Sequence, residues 1–113
     1  MKDYSEMSDI HINAAVSRTL YGNLSRGHEL QLASGDVDYC NNATDAWPII
    51  VENKISLNWS ETEKSWCAHV GGVMTEGCWR WDDDPSHHHD GSNPLRAAMV
   101  TFLMMKDRES SHV

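Results

Sequence analysis

Between Ser8 and Leu20 the apolar residues Ile12, Val16 and Leu20 recur at every fourth position, with Ile10 and Ala14 alongside. That spacing gathers them on one side of an α-helix. Ser8 can accept a hydrogen bond from a first-turn amide, so a helix is predicted over residues 8–20. "YGNLSRG" supplies turn residues. In "HELQLASGDVDYC" Leu30 and Leu32 alternate with polar residues until Ser34 and Gly35 intervene, a pattern that predicts a hairpin with strands near 28–33 and 36–40.

In "NNATDAWPIIVENKISLNW" either Thr44 or Asn42 can cap a short helix with Pro48 in its first turn, where a missing N–H costs little. The run Ile49, Ile50, Val51 also suits a buried strand. The helix, ending near Asn53, is preferred, because Leu57 and Trp59 then alternate with Ser56 and Asn58 in a strand from Ile55 to Trp59. After "SETEKS", the segment "WCAHV" puts Trp66, Ala68 and Val70 on one face and Cys67 with His69 on the other. "CWRW" follows the turn at 71–77 and reads as a strand pairing with it, Trp79 and Trp81 on one face and Arg80 opposite.

From Asp82 to Ser92 the chain holds turn formers, charges and histidines, the composition of a solvated loop. Asn93 then offers a cap, Pro94 suits the first helical position, and "LRAAMVTFLMMK" continues without an internal Gly or Pro. A helix is predicted over 94–106, apolar nearly all round: Leu95, Ala98, Met99, Phe102 and Met105 form one stripe, with Val100, Leu103 and Met104 beside it. Such a helix belongs in a core, and the tail "DRESSHV" is expected to be loosely ordered. The elements together predict an α+β fold over residues 1–113: a small antiparallel sheet packed against a C-terminal core helix, with an N-terminal helix.

With "DAWPIIVENKISL" and "NPLRAAMVTFLMMKD" in place, and "MKDYSEMSD" before them, the chain resembles the NinX family of small bacteriophage and prophage proteins. The resemblance touches the start, middle and end of the chain, while 21–39 and 60–90 match no stated pattern. It implies a phage accessory gene acting inside an enterobacterial-type host. It brings no catalytic residues with it, so chemistry has to come from the side chains themselves.

Composition narrows that chemistry. A net charge of −8 with only nine scattered Lys and Arg argues against general nucleic-acid binding, which needs clustered cations to release phosphate counterions. The same charge suits simple solubility, or docking on a basic cleft of a host defence protein. No run approaches the ~20 apolar residues of a membrane span, and the first residues lack the apolar stretch of a signal peptide, so the host cytoplasm is the expected location and no membrane partner is expected. Cys40, Cys67 and Cys78 are an odd set in such a chain, and free, largely buried thiols are expected.

Metal chemistry has two candidate sets, Cys67, His69 and Cys78, and His87, His88, His89 and Asp90. Neither has the paired spacing of structural zinc sites, and adjacent histidines converge poorly from one loop, so neither metal nor any other cofactor is expected. A nucleophile and base from Cys67, His69 and Asp82 lack any supporting motif. Binding fits better. The five tryptophans Trp47, Trp59, Trp66, Trp79 and Trp81 are many for this length, and an indole gives a flat face for a base. Arg80 and Arg96 can meet phosphate, Arg96 ahead of Arg80 because Arg80 points away from Trp79 and Trp81 on a regular strand. Asn41, Asn42 and Asn53 can read polar base or ribose edges. Against this stands core packing of at least two of the tryptophans. The expected function is a non-catalytic phage protein that counters host defence by sequestering a nucleotide-derived immune signal, as a homo-oligomer whose subunits together enclose the ligand. The competing expectations are an acidic inhibitor of a host defence enzyme and a regulatory or structural phage protein.

Overall fold

A computed structural model describes residues 4–74, 81–83 and 86–111. A 3₁₀ turn at Tyr4–Glu6 leads into helices α1 (Asp9–Tyr21), α2 (Arg26–Ser34) and α3 (Ala43–Glu52), then strands β1 (Ile55–Ser60), β2 (Ser65–Val70), β3 (Val73–Met74), β4 (Trp81–Asp83) and β5 (His87–Gly91), and finally helix α4 (Pro94–Ser111). The α+β architecture predicted from the pattern of apolar positions is the one observed.

Three antiparallel strands run in the order β1-β2-β5. The register puts Ile55 opposite Val70, Leu57 opposite Ala68, and Ala68 opposite His89. These residues therefore share one face, and α4 lies across it. The small β3–β4 pair is an excursion between β2 and β5, entered through Gly71 and Gly72 at φ 69° and 78°, a left-handed conformation in which a side chain would be strained.

Helix α4 is the centre of the molecule. From Ala97 to Leu103 every residue is buried, because α1, α3, the Tyr4–Glu6 turn and the sheet all pack around it. Phe102, Met99, Leu103, Ile12 and Val16 are the largest wholly buried side chains, each contributing roughly 1.5–3 kcal/mol by leaving water. Thr101, the polar residue in this run, satisfies its hydroxyl against the carbonyls of Ala97 and Ala68, at 3.0 and 3.3 Å. At the far end Tyr4 donates its phenol to the Asp107 carboxylate.

Several local expectations are corrected. Residues 28–33 are not a strand: Ser25 accepts from the His28 amide and Gly35 closes the segment at φ 85°, so α2 forms, and no hairpin with 36–40 exists. The alternation of Leu30 and Leu32 misled because α2 buries no residue and therefore carries no apolar stripe. Asn42, not Thr44, caps α3, which moves Pro48 beyond the first turn, and the helix forgoes the bond to the Thr44 carbonyl. The expected loop over 82–92 contains the end of β4 and all of β5. β5 has no strand-forming composition, and β2 makes it a strand by offering a free edge. β2 accordingly pairs with β1 and β5, while residues 78–80, the expected partner, lie outside the described residues. Finally, α4 continues past Lys106 to Ser111 instead of ending before a loose tail.

Candidate functional site

Two of the residues expected to bind ligand, Asn41 and Arg96, meet at one carboxylate. Arg96, in the first turn of α4, donates from Nη1 to Asp9 Oδ1 at 2.6 Å and from Nη2 to the Met7 carbonyl at 2.5 Å. Asn41 donates to Asp9 Oδ2 at 3.1 Å and to Asp38. Asn93 caps α4 with its side-chain oxygen, which accepts from the Leu95 and Arg96 amides. Its amide nitrogen donates to the Cys40 carbonyl and to Asn41 Oδ1, at 2.8 and 3.1 Å. Asn13 donates to Asp38 and accepts from the Cys40 amide. Asn41 and then Arg96 hold the Asp9 carboxyl below the usual carboxylate range, against the opposing pull of burial. Burial pushes the nearby Cys40 thiol up to about 12. This network joins α1, the turn before α3 and the start of α4, and it occupies the guanidinium of Arg96.

The other expected ligands are dispersed. Asn42 spends its side-chain oxygen on the Thr44 amide, and Asn53 donates to the Ile49 carbonyl at the end of α3. Trp47 stands on the outer side of α3, 57% exposed. Trp79 and Arg80 lie outside the described residues, and Trp81 opens β4. Trp59 and Trp66 form a tilted cross-strand pair with ring centroids 5.3 Å apart, Trp59 donating its indole N–H to Glu61 at 2.7 Å. Lys64 reaches the same carboxylate.

A cleft between α1 and α2 brings together side chains that the strand assignment had kept apart. The end of α1 presents Tyr21, and the first turn of α2 presents His28, whose ring stacks on Tyr21 with centroids 5.0 Å apart and planes 24° from parallel. Ser17, Gln31, Leu32, Val37 and Tyr39 complete the lining. Ser17 donates to the Tyr39 phenol at 3.3 Å, and burial raises that phenol above its ordinary titration range. Tyr21 remains 60% exposed, so much of its ring is open to solvent. His28 Nδ1 is buried without a hydrogen-bond partner among the described residues, and such a group costs about 1–3 kcal/mol until something bonds to it. The cleft has a volume of about 90 Å³, well below the roughly 300–1,000 Å³ of sites that take a whole drug-sized ligand. The signal for this cleft was present in the chain as Ser25 and Gly35, a cap and a stop bracketing a nine-residue helix.

A family model described as bacteriophage P22 NinX matches residues 3–106. No curated protein and no solved structure matches the chain. No helix among the described residues is long and apolar enough to cross a membrane.

Proposed function

The chain belongs to the bacteriophage P22 NinX family, and from that premise we propose that this phage accessory protein works in the host cytoplasm by binding, not turnover, sequestering a nucleotide-derived immune signal. The observation that carries this reading is the α1–α2 cleft. Its open tyrosine face suits a planar heterocycle, and the unpartnered His28 Nδ1 suits a ring N–H or carbonyl that would satisfy it. Gln31 and Tyr39 add donors and acceptors at the rim. Arg18 in the last turn of α1 and Arg26 at the start of α2 put positive charge on the two helices that form the cleft, in contrast to Arg96, which is engaged by Asp9 and the Met7 carbonyl. One cleft of about 90 Å³ receives part of one ring at most. A larger signal would therefore be enclosed by the clefts of two or more copies, which makes a homo-oligomer part of the proposal.

A second reading, the inhibitor of a host defence protein, is favoured by α3. Trp47 and Val51 lie one turn apart and are 57% and 51% exposed, on a chain of net charge −8, a combination suited to an apolar anchor beside a basic cleft.

Calorimetric titration with cyclic and linear adenine nucleotides separates the two. The expected result is saturable heat with at least one nucleotide, weakened about tenfold or more by Tyr21→Ala and by His28→Ala, since stacking on an aromatic side chain is worth roughly 1–3 kcal/mol per base. Absence of heat with every nucleotide, together with capture of a host protein that Trp47→Ala abolishes, would replace sequestration by inhibition.

A further inference from the structure

The sheet face turned away from α4 carries a different chemistry. Alternation places Asn58 of β1, Cys67 and His69 of β2, and His88 and Asp90 of β5 on that face. The register sets Cys67 directly opposite Asp90. His88, two residues before Asp90, projects to the same side. As a result the Cys67 sulfur, a ring nitrogen of His88 and a carboxylate oxygen of Asp90 all lie within 4.8 Å of one another. Cys67 is 1% exposed, while the side chains of His88 and Asp90 are about half exposed. His69, also on this face, is committed elsewhere: Gly71 O lies 2.7 Å from its Nδ1, and Asn58 Nδ2 lies 2.6 Å from its Nε2.

We propose that Cys67, His88 and Asp90 form a binding site for one divalent transition-metal ion of the zinc type, with solvent in the remaining coordination position.

The ligand types select the ion. One thiolate, one imidazole and one carboxylate suit a borderline-soft cation, whereas magnesium and calcium favour oxygen alone. Bonds of about 2.0–2.3 Å around a tetrahedral ion put its ligands roughly 3.5 Å apart, against 4.0 Å between His88 Nδ1 and Asp90 Oδ1 and no more than 4.8 Å within the set. The adjustment falls to His88 and Asp90, whose half-exposed side chains are able to turn inward, while Cys67 is held by its surroundings. Three protein ligands and an open position are the pattern of metal sites that accept an exogenous group, in contrast to closed four-ligand structural sites. Thiolate coordination releases the Cys67 proton to solvent, one for each ion bound. Adjacent histidines converge poorly from one loop, but "HHHD" lies in β5. In a strand, alternate residues share a side, and His88 and Asp90 converge on a cysteine some twenty residues earlier.

Cobalt(II) titration of the fully reduced, full-length protein tests the proposal, because thiolate coordination gives a near-ultraviolet charge-transfer absorption. The expected result is a band saturating at one equivalent, displaced by zinc and not by magnesium. Cys67→Ser should abolish the band. His88→Gln and Asp90→Asn should each weaken binding by about tenfold or more, at least the penalty usual for disturbing a metal's supporting groups. Both positions are half exposed, so these two variants decide the matter even if Cys67→Ser fails to fold. No band in the wild type, a band surviving Cys67→Ser, or unchanged affinity in both other variants would each overturn the assignment.

Discussion

Asn93 serves two stretches of backbone at once: its oxygen caps α4, and its nitrogen holds the Cys40 carbonyl. Arg96, one turn later, closes the same junction from the other side through Asp9 and the Met7 carbonyl. Removing the guanidinium takes the donor from the Met7 carbonyl and from Asp9 Oδ1, while Asn41 still serves Asp9 Oδ2. Arg96→Ala is therefore expected to cost about 1–2 kcal/mol in urea unfolding, the low end for bonds to charged groups because the Asp9 side chain is 43% exposed. Nucleotide binding measured on the folded fraction should be unchanged, which separates a structural arginine from a phosphate ligand.

Among the elements, α2 depends most on its ends. It buries no residue, so the Ser25 cap and the Gly35 stop supply much of what holds it. Ser25→Ala should weaken the helix by about 1 kcal/mol, read as roughly fivefold faster amide exchange across Arg26–Ser34 with α4 unaffected. A uniform change throughout the molecule would show instead that α2 opens only with the whole fold. The contrast between α2 and α4 also explains what could be read from the chain. Helices α1 and α4 combine a cap with apolar positions that meet a core, and strands β1 and β2 alternate, so local pattern and tertiary packing agree. For α2 the pattern is silent, and two leucines two residues apart imitated a strand. For β5, "HHHDG" has no intrinsic preference for extension, and only the unpaired edge of β2 makes it a strand. Both candidate sites suffer for the same reason. Tyr21 and His28 meet only once α2 is a helix, and Cys67 meets Asp90 only once the strand register is known. Asn41 and Arg96, expected as ligand groups, share the Asp9 carboxylate, which lies tens of residues from either and is invisible to spacing.

At the scale of the whole molecule, titration should limit stability from both sides. Asp9, of ordinary pKa 3.8, is held lower in the fold by Asn41 and Arg96. A depressed acid contributes stability that is present above its unfolded value and lost as pH falls through the folded one. Tyr4, Cys40 and Cys67 behave oppositely. Burial raises all three above their ordinary values, 10.0 for the phenol and 9.0 for the thiols. Their contribution is complete below the unfolded values and declines as pH rises past about 9, where the unfolded chain ionises and the fold does not. Thermal unfolding measured across pH should give a plateau between these limits, falling below about pH 4 and again above about pH 9. In Cys40→Ser the alkaline fall should be shallower.

The central position of α4 has a consequence for how the chain is made. The Tyr4–Glu6 turn, α1, α3 and the three-stranded sheet all pack against this helix, yet it follows all of them in the sequence. While a ribosome is still adding residues before Pro94, α1, α3 and the sheet have exposed apolar faces and no common surface on which to bury them. The packing of α4 on α1 and α3 joins segments tens of residues apart, the circumstance in which folding waits on chain closure. The nascent protein thus emerges as a set of unfinished pieces that α4 assembles in one late step. During that interval it is most open to chaperones and proteases.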